Sequence, residues 1–88
     1  MDIAHTPAVE RIARVLTGML VSANGEGDNA SAGTLVDSLW QHHVPDAIAV
    51  LKTLREPSAT MAAAGDCAVW ERMILAAIAE AEMPTVVL

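Results

Sequence analysis

The sequence predicts an all-α domain, a small antiparallel bundle of three main helices and a short connecting one. Three observations carry that prediction. Apolar residues recur at three- and four-residue spacing in three stretches, the period of one helix face. Helix start and stop residues bound those stretches: Thr6-Pro7, Asn24-Gly25, Pro57-Ser58, Gly65-Asp66 and Pro84. Finally, 88 residues leave room for one core, so residues 1–88 form a single domain.

The first helix spans about 7–23. Thr6 caps it and Pro7 takes its first position, where a missing N–H costs nothing. Val9, Ile12, Ala13, Leu16, Met19, Leu20 and Ala23 fall on one face, and Glu10 and Arg14 pair one turn apart on the other. Asn24-Gly25 tolerates positive φ and ends the helix. Residues 24–33, NGEGDNASAG, read as a flexible polar loop. They lack the regular ligand spacing and closing glutamate of a calcium loop.

The second helix spans about 34–55. Its stripe runs through Val36, Leu39, Trp40, His43, Ala47, Val50, Leu51 and Leu54, and its phase does not reset at Pro45. On that wheel Pro45 lies on the polar side with Ser38, Gln41 and Lys52. The reading is one helix kinked at Pro45; the alternative is a break at Val44, because a residue before proline avoids the α region.

Glu56-Pro57 stops that helix. Ser58 caps a short helix over 58–64, Gly65 ends it, and Asp66 caps the last helix over 67–82. There Val69, Trp70, Met73, Ile74, Ala77 and Ala81 share a face with Ile78 at its margin, while Arg72, Leu75 and Glu82 lie outward. Pro84 opens an apolar tail, 84–88. It can fold back, hang free, or add as a strand to a partner's sheet edge.

The stretch VLKTLREPSATMAAAGDCAVWERMILAAI (50–78) resembles a segment of small proteins from alphaproteobacteria and their phages. In that segment an Arg-Glu-Pro-Ser/Thr turn precedes a Met, an Ala-Gly and a Trp-x-x-Met-Ile. VERIARVL (9–16) with SAN (22–24) is similar to their first helix. The resemblance implies a bacterial or phage-derived cytoplasmic protein. It brings no activity and no catalytic residues.

Composition bounds the function. The net charge is −6 and the five cations are scattered, which argues against binding a phosphate backbone. No apolar run is long enough to span a bilayer, and one cysteine suits a reducing cytosol. Seventeen alanines, two tryptophans and no Phe or Tyr make a thin core, and self-association, as a homodimer, is a common remedy for small domains.

Candidate chemistry is sparse. Cys67 opens a helix, where free N–H groups favour a thiolate, but Asp66 repels one, leaving Cys67 as a possible thiol and no more. His42 and His43 point about 100° apart and cannot hold one metal from one face. His42 pairs with Asp46 one turn on. His43 falls on the apolar stripe, where protonation at an interface would make it pH-sensitive. Arg55 favours the last carbonyls of its helix, and Glu56 can pair back to Lys52.

No catalytic, cofactor-binding or metal residues are therefore assigned, and the chain is not read as an enzyme. The expected function is helical self-association or protein interaction by apolar docking. The contact candidates are Trp40, Val44, Leu75, Ile78, Val86, Val87 and Leu88. Both tryptophans are also natural core fillers. The alternative is an acidic inhibitor of a basic or nucleic-acid-binding surface on a host or phage enzyme.

Overall fold

The computed structural model describes residues 3–23 and 29–82. It is all-α: α1 (Ala8–Ala23), α2 (Asn29–Leu39), a 3-10 turn (Trp40–His43), α3 (Val44–Leu54), α4 (Ala59–Ala64) and α5 (Cys67–Glu82). No strand occurs among the described residues. α1 packs against α2, the 3-10 turn and α3, and α5 lies on α3 and touches α1.

The second helix is not one kinked rod, and this corrects the sequence reading. It is two 11-residue helices separated by the turn at Trp40–His43. The cause is Pro45. It has no N–H to donate to the Gln41 carbonyl, and its ring would clash there inside a continuous helix. The chain instead places Pro45 in the first turn of a new helix, where no donor is needed. Val44 N–H takes the Gln41 carbonyl in its place. The apolar phase persists across the break because α2, the turn and α3 all pack on α1. A second correction follows at the other end: α2 begins at Asn29, so residues 29–33, assigned to the polar loop, are helical. Residues 24–28 and the tail with Val86, Val87 and Leu88 lie outside the described residues.

α1 begins at Ala8, and the Pro7 carbonyl accepts from Arg11 N–H at 3.1 Å. Pro7 therefore precedes the helix instead of taking its first position, and Thr6 is not its cap, a further correction. The caps of α4 and α5 stand where the sequence puts them. Ser58 Oγ accepts from Met61 N–H at 3.3 Å. Asp66 Oδ1 accepts from Ala68 N–H at 2.9 Å and Val69 N–H at 3.1 Å. Asp66→Ala should cost about 1 kcal/mol by freeing those donors. A denaturation midpoint unmoved by the substitution would show that the cap contributes nothing.

The core joins Val9 and Ala13 of α1, Ala47 and Leu51 of α3, and Ile74 and Ile78 of α5. Trp40, Val44, Ile48 and Trp70 pack against it half-buried. On α1 the buried row is Val9, Ala13, Thr17 and Val21, whereas Met19 and Leu20 are exposed. Thr17 is admitted because its hydroxyl donates to the Ala13 carbonyl at 2.7 Å. Arg14 holds Glu10 at 2.9 Å, as expected, and Asp37 at 2.6 Å, and its guanidinium lies 5.3 Å from the centre of the Trp40 ring. Hydrogen bonds to Asp37 first, then Glu10, raise the Arg14 pKa above its ordinary value. This network ties α1 to α2 and to the turn.

Candidate interaction surface

α5 carries only four polar residues in sixteen: Glu71, Arg72, Glu80 and Glu82. A helix apolar on nearly every side belongs in an interior. Here one side alone is covered, and only Ile74 and Ile78 are buried. Ile78 is thus a core residue and not a surface contact, a correction to the sequence reading. Leu75 does lie outward, 42% exposed.

The covered face is rotated from the expected one. Val69 and Met73, assigned to the core by their spacing, are exposed. They line a groove of about 360 Å³ with Pro57, Met61, Ala64 and Trp70. Gly65, Asp66 and Cys67 complete its lining. The groove exists because α4 buries none of its residues, so the α4–α5 corner projects from the core. Trp70 sets its position. The indole Nε1–H donates to the Leu54 carbonyl at 2.7 Å, satisfying a group at the C-terminal end of α3. Arg55, expected to serve that end, instead lies 3.9 Å from Glu56, which therefore pairs with its neighbour and not with Lys52.

A second apolar area shares no residue with this groove. Leu16, Met19, Leu20 and Val50 surround a shallow depression bordered by His43 and Asp46. His43 Nδ1 stands 3.5 Å from Asp46 Oδ2, so His43, and not His42, is the partner of Asp46. A 3-10 turn immediately before α3 changes the angle between the two histidines and brings His43 round to that aspartate.

The remaining candidates are dispersed. Trp40 and Val44 border a small recess with Pro7, Val9, Glu10 and Ala81, at the junction of α1, α3 and α5. Cys67 is an exposed free thiol. Among the described residues no three His, Cys, Asp or Glu side chains cluster as metal ligands, and no helix is long and apolar enough to cross a membrane. The structure brings Met61, Val69, Trp70 and Met73 together. Spacing alone missed them as surface, although an α5 so poor in polar residues signals a second buried face. No protein family matches the chain, and neither does a curated protein or a solved structure.

Proposed function

We propose that this chain is a non-enzymatic helical interaction module of a bacterial or phage cytoplasm, acting by apolar docking of helix faces. One observation carries the reading. Eleven large hydrophobic residues are more than a third exposed among the described residues, against seven buried hydrophobics of which two are alanines. Isolated exposed apolar residues are ordinary, but contiguous ones mark contact sites. Met61, Val69, Trp70 and Met73 are contiguous. The tryptophan and methionines are side chains enriched at such contacts.

The reading is tested by titrating an apolar fluorescent dye into the chain at high dilution while circular dichroism follows its helicity. A helical chain that binds dye, and releases it as protein concentration rises or a partner is added, supports apolar docking. A fully helical chain that binds none at any dilution contradicts it. Apolar docking also predicts an assembly that high salt leaves intact, because screening acts on charge. Dissociation in high salt would favour the acidic-inhibitor reading.

A further inference from the structure

We propose that residues 84–88 fold back onto their own chain and fill the recess at the junction of α1, the 3-10 turn, α3 and α5, extending the core there. The proposal stands apart from the docking reading, since this recess shares no residue with the α4–α5 groove.

Position is the first argument. The recess holds about 170 Å³. Its apolar walls are Pro7, Val9, Trp40, Val44 and Ala81, and the last three are half-buried side chains already packed on the core. Ala81 lies in the last turn of α5, which ends at Glu82. The segment therefore starts at the rim of the recess. Val86, four residues beyond Glu82, has a reach of up to about 14 Å.

Backbone chemistry is the second argument. Pro84 cannot continue α5, and it disfavours the α region at Met83, so the chain has to leave the helix axis here. Beyond it Val86, Val87 and Leu88 are apolar and uncharged, so Glu10 and Glu80 at the recess do not repel them. Attachment is the third argument. A separate partner brings roughly 800 Å² of matching surface to a stable interface, far more than so small a recess can seat. A segment on a short tether has an effective concentration of millimolar order, and burying one aliphatic side chain is then enough to hold it.

Deleting 84–88 tests the fit. The unfolding equilibrium constant, from urea denaturation, should rise about tenfold, the effect of exposing one valine or leucine side chain. The rise should be the same at every protein concentration, because the contact lies within one chain. A double-mutant cycle locates it. In a Val44→Ala chain the same deletion should raise the constant only about threefold, since contacting residues couple. In a Leu75→Ala chain, altered on the outward side of α5, the deletion should keep its full effect. If the deletion leaves no folded chain, Val86→Ala takes its place in the same cycle, with the same pattern expected. An unfolding constant that the deletion does not change would overturn the proposal, and so would effects that add in full with Val44→Ala. A rise that grows with protein concentration would assign the segment to a second copy and overturn the intramolecular fit.

Discussion

Replacing Leu51 with alanine is expected to destabilise the protein by about 2–5 kcal/mol, the range for removing a large side chain from a packed interior. Leu51 is 3% exposed on α3, the helix that both α1 and α5 pack against. Few side chains share its task. Beyond alanine and threonine, the buried set among the described residues holds Val9, Val21, Leu51, Ile74 and Ile78. A domain of this length has only about 4–13 kcal/mol of total stability, so the loss approaches the whole. Urea denaturation followed by circular dichroism measures it. Leu54→Ala, one turn on and 41% exposed, should change the midpoint far less. Equal effects at the two positions would mean that α3 does not bury the face described.

Ala47→Leu is expected to cost about 1–3 kcal/mol for the opposite reason, too much volume in a filled space. Ala47 and Ala13 are both fully buried, on α3 and α1, in the cluster where those helices meet α5. Alanine there lets the helices approach closely, and three added carbons would force them apart. Ala49→Leu supplies the control, because Ala49 is exposed on the same helix. Its midpoint should hardly move. A neutral Ala47→Leu would show that the junction has room to spare.

Much of this architecture is legible in the sequence, and what is legible is local. Ser58 and Asp66 announce their caps because a side-chain oxygen two or three residues ahead of a free N–H is a short-range geometry. Pro57 and Gly65 mark the boundaries between α3, α4 and α5 for the same reason. The Glu10–Arg14 pair is likewise set by helix spacing alone.

What the sequence conceals depends on neighbours. An unbroken apolar phase from Val36 to Leu54 suggests one helix, yet the phase records only that every segment faces α1. It says nothing of the backbone at Pro45. On α1 the wheel cannot tell whether Leu20 or Val21 lies inward, because the direction is fixed by where α2 and the turn pack. On α5 the wheel offers more apolar surface than α3 and α1 can cover. It therefore assigns Val69 and Met73 to a core they do not enter. The surplus was visible in the sequence; its location required the fold.

Light scattering of the full chain across a dilution series, down to low micromolar concentration, decides whether its apolar faces dock on a second copy. A mass of two chains that falls toward 9.2 kDa on dilution is the predicted result, with helicity retained as the apolar faces are uncovered. A fully helical species of 9.2 kDa at every concentration would contradict it, because this fold would then be complete with its groove open to water.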